Sequence, residues 1–494
     1  MRISAGKSVI LALSIVSLLA CSQGGAPNNQ SASSSADAQL EWTRKTEKQL
    51  REAIEQAPAN GLKPDLFLKG DLPENDSERF AVLTQAALKY AEALAHGYVD
   101  PNKISEVYTI PRPKADVRQG LSQALQNGNI GEWLASLTPQ TDEYRALSQQ
   151  HVRYVQLAQG QFEPIPEGKS IKPGSADTRV PALAAALRAT GLLAAPAQPA
   201  EGQSNASQQR GPLRYSPDLV AAVKQVQAEF GLKPDGIVGG ETRDVLNLGP
   251  AGRARMLAVA MERLRWLTRD PPKTRIDVNT AATVLDYWRD GRHVDRRNVV
   301  AGEPDKQTPQ IQAPFSRLVA NPKWRVPDSI VENELSKKSA GWLRANDFVV
   351  ENGKYVQQSG DKNALGRVKL DMEDKQQIYM HDTPAKALFG QPDRHRSHGC
   401  VRVQNAVQFA EMLASQDGVL DQLQKALAGD DEKWVKLKTE IPVRMLYQTA
   451  FWDGSRIQLR QDVYGWDDEV AYAIGLQRAA PRKQYKPQGE DIGP

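Results

Sequence analysis

The sequence predicts a multidomain α+β chain: a helical scaffold first, a small three-helix module next, and a mostly-β domain with a helical insertion last. Length is the first observation. At 494 residues the chain exceeds one ordinary core and favours two to four domains of about 150 residues each. Periodicity is the second, because apolar residues recur at three- and four-residue steps in the first half, then alternate from about residue 273. The third is an interruption: between 322 and 364, prolines, tryptophans and a helical run displace the strand pattern.

Residues 39–168 read as the scaffold. Leu83, Ala87, Tyr90, Ala91 and Leu94 form one apolar face, with Asp76 and Ser77 as expected caps. A second helix is expected from Tyr144 to Leu157, with Leu147, Val152 and Val155 in the core. His96 and His151 read as core or surface histidines. Residues 169–250 make the small module, in which Val220, Val223, Val226, Phe230 and Leu232 stripe one helix. Lys233-Pro234-Asp235-Gly236 is a turn, and Gly239-Gly240 precedes a short last helix. An Ala/Pro/Gln/Ser-rich loop, roughly 195–213, separates its halves.

Residues 273–470 make the β domain. Positions 275–279 alternate, 283–288 are β-branched and aromatic, Asp290-Gly291 turns a hairpin, and 296–301 return. Another strand is expected within Lys369–Tyr379, ending just before His381, and a helix over 406–415. The polar end, 477–494, is expected to be disordered.

Composition excludes several classes. Lys+Arg exceed Asp+Glu by 63 − 59 = 4, and a leader carrying Arg2 and Lys7 would remove two of those charges. With no long basic run, nucleic acid is not an expected partner. Two cysteines exclude a disulfide framework and a Cys-rich zinc module.

Residues 1–20 read as an export signal: a basic start, then an apolar run from Val9 to Ala20 too short to span a bilayer. Leu18-Leu19-Ala20-Cys21 resembles the lipobox of bacterial lipoproteins, which implies lipidation of Cys21. Residues 21–38, polar throughout, read as a flexible tether. The resemblance implies a lipid-anchored protein at the periplasmic face of the envelope, with Ser22 pointing to the outer membrane. Membrane contact is then through the anchor alone.

Cys400 carries the chemistry. With Cys21 lipidated it has no disulfide partner, and Ser397-His398-Gly399-Cys400-Val401-Arg402 surrounds it with possible cations. A nearby cation is expected to lower the thiol pKa and raise the thiolate fraction. Gly399 can take positive φ and is expected to turn amide N–H groups toward an oxyanion. His381, at an expected strand end, can pair with the thiol. His395, between Arg394 and Arg396, reads as a solvated loop residue, and His293 as a surface one. His381, His395 and His398 lack a regular ligand spacing, so no metal is expected.

Two resemblances add to this reading. The 171–191 and 215–247 stretches, through Lys172, Gly174, Val180, Leu183, Gln227, Phe230, Gly231, Leu232, Asp235, Gly236, Gly239, Thr242 and Leu246, resemble the three-helix peptidoglycan-binding domain of cell-wall enzymes. Tyr379-Met380-His381-Asp382-Thr383, followed by the Ser397–Arg402 motif, resembles the signature of bacterial L,D-transpeptidases. With Asn363-Ala364-Leu365-Gly366-Arg367 and the inserted segment, the chain is similar to their large Gram-negative branch, although many relatives have proline where Ala364 stands.

The resemblance implies Cys400 as nucleophile and His381 as general base. It places His398, Ser397 and Gly399 at the oxyanion and substrate site, and Arg402 on a stem-peptide carboxylate. Asp382 could orient His381 by its side chain, although a backbone carbonyl often does so in this family. Residues 322–364 become an inserted lid in which Trp324 and Trp342 either close over the cleft or simply pack. The implied reaction needs no cofactor. It forms 3→3 peptidoglycan cross-links, and carbapenems acylate the thiol. The implied partners are peptidoglycan stem peptides and peptidoglycan synthases. An L,D-carboxypeptidase, a transferase tethering a lipoprotein to the wall, and a non-enzymatic wall-binding lipoprotein are the alternatives.

Overall fold

The computed structural model describes residues 41–194, 213–479 and 493. The expected leader, Cys21 and its tether therefore lie outside the described residues, as do nearly all of the 195–213 loop and most of the expected disordered tail. From Glu41 onward the chain clusters as one unit.

Its N-terminal part holds α1 (Arg44–Glu55), α2 (Asp76–His96), α3 (Val117–Asn127), α4 (Ile130–Ser136) and α5 (Asp142–Leu157). The cap of α2 is Asn75, whose side chain accepts from Glu78 N, one residue ahead of the expected pair. Next come β1 (Ala176–Asp177), α6 (Val180–Ala189), β2 (Leu213–Arg214), α7 (Pro217–Glu229) and α8 (Gly240–Leu246). The residues that mark this small module mostly hold its turn. Gln227 Oε1 accepts from Gly236 N at 2.8 Å, and its Nε2 donates to Ile237 O, Asp235 and Thr242. Gly236 sits at φ +78, and a Cβ there would strike Val220 at 2.8 Å.

An 18-residue helix follows, α9 (Gly249–Trp266), for which the sequence reading has no counterpart. It buries Arg253, Glu262, Arg263 and Arg265 beside its apolar residues. Arg253 meets Glu229 at 2.8 Å and Tyr154 Oη at 3.2 Å; Arg265 meets Glu262, Tyr144 Oη and the Asn60 carbonyl. These bonds explain the face that α5 presents. It buries Tyr144, Leu147, His151 and Tyr154, while Val152 and Val155 are only half-buried, because the phenols must reach the α9 guanidiniums.

The C-terminal part is built on a nine-stranded mixed sheet. Its strands are β3 (Arg275–Asn279), β4 (Val284–Arg289), β5 (Arg292–Gly302), β6 (Gln312–Ala320), β10 (Val368–Met372), β11 (Met380–His381), β12 (His395–Ser397), β13 (Val401–Val403) and β14 (Lys433–Leu446). The order is β12-β5-β13-β11-β10-β6-β14-β3-β4, and a further β5–β4 pairing closes the sheet on itself. α12 (Ala406–Gln416) and α13 (Leu420–Leu427) cover its apolar face through Phe409, Leu413 and Leu423. The expected strand over 369–379 is two strands instead. Asp374–Ile378 leaves the sheet because Asp374 Oδ1 accepts from Gln376 N and Ile378 N, and Gln377 takes φ +58.

Inserted between β6 and β10 are β7 (Trp324–Arg325), α10 (Asp328–Asn333), α11 (Ala340–Ala345), β8 (Phe348–Glu351) and β9 (Lys354–Gln357). They form a small subdomain with its own core of Trp324, Val326, Ile330, Leu335 and Phe348, against which Tyr379 packs. The chain finishes with the hairpin β15 (Ala450–Trp452) and β16 (Ile457–Leu459), then α14 (Trp466–Ala473). No helix among the described residues is long and apolar enough to cross a membrane.

Candidate active site

Strand register brings the two halves of the motif together. Met380 and His381 pair in parallel with Val401 and Arg402, and Val401 N donates to Tyr379 O at 3.0 Å. His381 is fully buried. Its Nδ1 lies 2.5 Å from the backbone carbonyl of Asp382, an acceptor only, so Nδ1 carries the proton and Nε2 is the basic nitrogen. The Asp382 carboxylate turns elsewhere: Oδ2 accepts from Arg367 N at 3.0 Å, and Oδ1 pairs with Lys386. Asp382 thus orients His381 through its carbonyl, not through the side chain that the sequence reading considered. Gly366 is required beside it, since a Cβ at its φ of +61 would fall 2.4 Å from Asp382 Oδ2.

Cys400 is 6% exposed, and its Sγ faces the Gln377 carbonyl at 3.9 Å. Burial pushes the thiol up to about 11, against the opposing hydrogen bonds of Tyr379 and the charge of Lys369. The expected lowering of the thiol pKa is therefore overturned. Of its sequence neighbours, His398 faces Lys306 and Glu334, and Arg402 lines a cavity. Tyr379 was quoted in the motif without a role. Its side chain hydrogen-bonds with Cys400, its ring meets His381 edge-on at 5.6 Å, and burial drives its own hydroxyl well above the usual value. The two-residue spacing to His381, which puts both side chains on one side of an extended backbone, is the signal that could have found it.

The turn that carries Cys400 is internally bonded. Gly399 sits at φ +114. Ser397 Oγ accepts from Gly399 N at 3.2 Å and donates to Cys400 O at 2.5 Å, while Thr308 Oγ1 donates to Gly399 O at 2.9 Å. Ser397 thus shapes the turn, and the Gly399 amide, expected to face an oxyanion, is engaged by that serine. His398 is held from two other segments: Nε2 contacts Glu334 of the insertion and Lys306 of the loop after β5, and those two pair at 3.2 Å. No sequence signal marks Lys306 or Glu334, which lie 92 and 64 residues from His398.

Arg402, Thr383, Lys338, Trp342 and Lys362 line a cavity of about 320 Å³, with Gly493 at its edge. Its described lining carries the basic side chains of Arg402, Lys338 and Lys362. Trp342 stacks on Phe348 at 5.9 Å and faces this cavity; Trp324 is 1% exposed and belongs to the insertion's core. His395 is not solvated: it is buried, with Nε2 2.9 Å from Thr280 O and Nδ1 3.1 Å from Asp393. His293 is exposed and pairs with Asp286, and His151 is buried against the Ala254 carbonyl. Among the described residues no group of three or more His, Cys, Asp or Glu is arranged to hold a metal.

A closed mixed sheet that sets a thiol beside a carbonyl-oriented imidazole, under an inserted subdomain, defines the class of domain. Comparison with known proteins gives the rest. Residues 273–436 match a family model described as "L,D-transpeptidase catalytic domain", 34–150 one described as "Scaffold domain", and 180–246 one described as "Putative peptidoglycan binding domain". The chain thus carries a scaffold domain, a peptidoglycan-binding domain and an L,D-transpeptidase catalytic domain.

A curated relative from Haemophilus influenzae, named "Putative L,D-transpeptidase", is 28% identical over 222 residues, 40% of this chain and 45% of the relative. The chain therefore spans a little under half the length of that relative. Among solved structures, an L,D-transpeptidase from Mycobacterium smegmatis is 15% identical, with 36% of this chain and 60% of that one covered and a TM-score of 0.22. An L,D-transpeptidase in complex with imipenem is 13% identical, with 35% and 59% covered and a TM-score of 0.21.

Proposed function

We propose that the protein is a peptidoglycan L,D-transpeptidase that works through a thioester on Cys400. The observation that carries the reading is that Cys400 directly precedes β13, which pairs in parallel with the β11 strand bearing His381, while His381 Nδ1 is pinned by the Asp382 carbonyl. A buried thiol raised to about 11 holds its proton at neutral pH, so it needs a base at the moment of attack. His381 Nε2 takes that proton. Sulfur bonds to the carbonyl carbon between the third residue of a tetrapeptide stem and its terminal D-Ala. The C–N bond breaks, and the proton passes to the departing D-Ala amine. A side-chain amine of a neighbouring stem then attacks the thioester, C–N forms, C–S breaks, and the proton returns through His381 to sulfur.

The product is a 3→3 cross-link. Tyr379 holds the sulfur, Ser397 and Gly399 set its turn, and Arg402 with the cationic cavity receives a stem carboxylate. The reading extends to the rest of the chain. Residues 1–20 are a signal peptide, Cys21 carries lipid, and the enzyme works in the periplasm from the outer membrane, with the small module holding peptidoglycan. Carbapenems acylate Cys400 in place of the donor, and water in place of the amine gives trimming to tripeptides.

The test begins with intact mass after mixing with a carbapenem. We expect one adduct on the wild type and none on Cys400→Ala; equal labelling of both would overturn the mechanism. Muropeptide products then separate the outcomes: dimers for cross-linking, tripeptides for carboxypeptidase action, wall-bound protein for tethering.

A further inference from the structure

His398 is held from two other chain segments, yet one of its nitrogens is unused. The side chain is 8% exposed. Its Nε2 faces both Glu334 and Lys306, while Nδ1 is buried with no hydrogen-bond partner. A buried polar atom without a partner calls for an explanation. A neutral imidazole has two arrangements here. Nε2–H can donate to the Glu334 carboxylate, leaving a bare lone pair at Nδ1; or Lys306 can donate to Nε2, leaving a buried N–H at Nδ1 with nothing to bond. An orphaned buried N–H is the rarer and costlier case, and a carboxylate is the stronger partner for Nε2–H. Lys306, 3.2 Å from the same Oε1, steadies Glu334 in that position. Burial works against the Glu334 charge, but its bonds to His398 and Lys306 win and hold its carboxyl below the ordinary value.

We propose that Glu334, carried by the inserted lid and steadied by Lys306, is a positioning residue that fixes His398 in its Nε2–H tautomer, so that Nδ1 offers a lone pair to an N–H donor of the substrate. The substrate half of this statement rests on the transpeptidase reading; the tautomer half does not. The consequence is a coupling. Glu334 closes α10 at its C-terminal end, so the imidazole is set only while the lid lies over the nucleophile loop. Peptide stems supply the required donors as backbone amides, and the attacking amine supplies another.

The experiment uses the full chain labelled with ¹⁵N histidine, with the His398 ring signals assigned by loss in His398→Gln. The wild type is expected to show protonated Nε2 and bare Nδ1. Glu334→Ala is expected to mix the tautomers and to lower kcat about tenfold or more, with KM changed less than about twofold. Glu334→Gln, which keeps an acceptor oxygen, is expected to restore most of both. Lys306→Met should keep the tautomer and lose part of the rate. A wild-type His398 protonated on Nδ1, or a tautomer unmoved in Glu334→Ala, overturns the proposal. If the tautomer shifts as expected but the wild type forms no cross-links, tripeptides or wall-bound protein, the transpeptidase reading fails and the Glu334 contact stands.

Discussion

Cys400 and Gly399 show how little of a reactive site is visible in residue types alone. His398, two residues before the sulfur in sequence, faces Lys306 and Glu334 in space, and burial decides the thiol's protonation. A thiol raised to about 11 gains thiolate steadily as pH rises through the neutral and mildly alkaline range. Alkylation of resting Cys400 by iodoacetamide is therefore expected to quicken about tenfold per pH unit from 7 to 9. A plateau reached by pH 8 would contradict the raised pKa. Gly399 offers a separate test of shape against space. The nearest atom to a Cβ there is Gln307 O at 3.6 Å, so an alanine fits, but φ +114 is hostile to it. Gly399→Ala is expected to lose about 1–3 kcal/mol in urea unfolding and most of its acylation rate. Unchanged acylation would mean that the turn does not need this backbone.

At the scale of elements, the two tryptophans of the insertion separate into different roles. Trp324→Ala empties the centre of the insertion's core and is expected to cost about 3–5 kcal/mol, read as a lower melting temperature or early local unfolding. Trp342→Ala opens the cationic cavity while leaving that core in place, and is expected to raise KM for stem peptide several-fold with little change in melting. The reverse pattern would assign the cavity to Trp324. Legibility follows the same physics. Helix α2 and strands β3 to β5 were readable because one face is wet and the other dry, which writes a clean period into the chain. Helix α9 was not, because its buried arginines and Glu262 break the apolar stripe while being paired inside. The 369–379 segment misled because its strand-like composition hides an aspartate-centred turn. In the site, Cys400 and His381 were legible from local motif spacing. Lys306 and Glu334 were not, because only the closed fold brings them to His398.

For the molecule as a whole, the ionic contacts of α9 join parts that the sequence divides. Arg265 reaches the scaffold through Tyr144 and Asn60, Arg253 reaches the small module through Glu229, and Arg263 reaches the C-terminal segment through Asp467 at 2.5 Å. Removing one partner strands a buried charge, so Asp467→Ala is expected to cost about 3–5 kcal/mol. The loss should appear in one transition shared by scaffold and catalytic domain; two transitions, with only one moved, would contradict the shared unit. Close by, burial and then the charge of Asp467 push the Asp462 carboxyl up to about 7. Its folded pKa lies above its unfolded one, so the fold binds that proton more tightly, and stability falls as pH rises from about 4 to about 7. Asp462→Asn should flatten that decline in melting temperature, and an unchanged slope would assign it to other groups.

Helix α9 also bears on how such a chain can change over generations. Loops at a module's edge usually let one part be exchanged for a foreign copy with little penalty. Here a donor segment lacking Tyr144, Glu229 or Asp467 would leave a guanidinium sealed in the dark and short of a partner. The three parts are therefore expected to be inherited together, and variation to collect in the insertion and the cavity it lines, where a change leaves the keystone untouched.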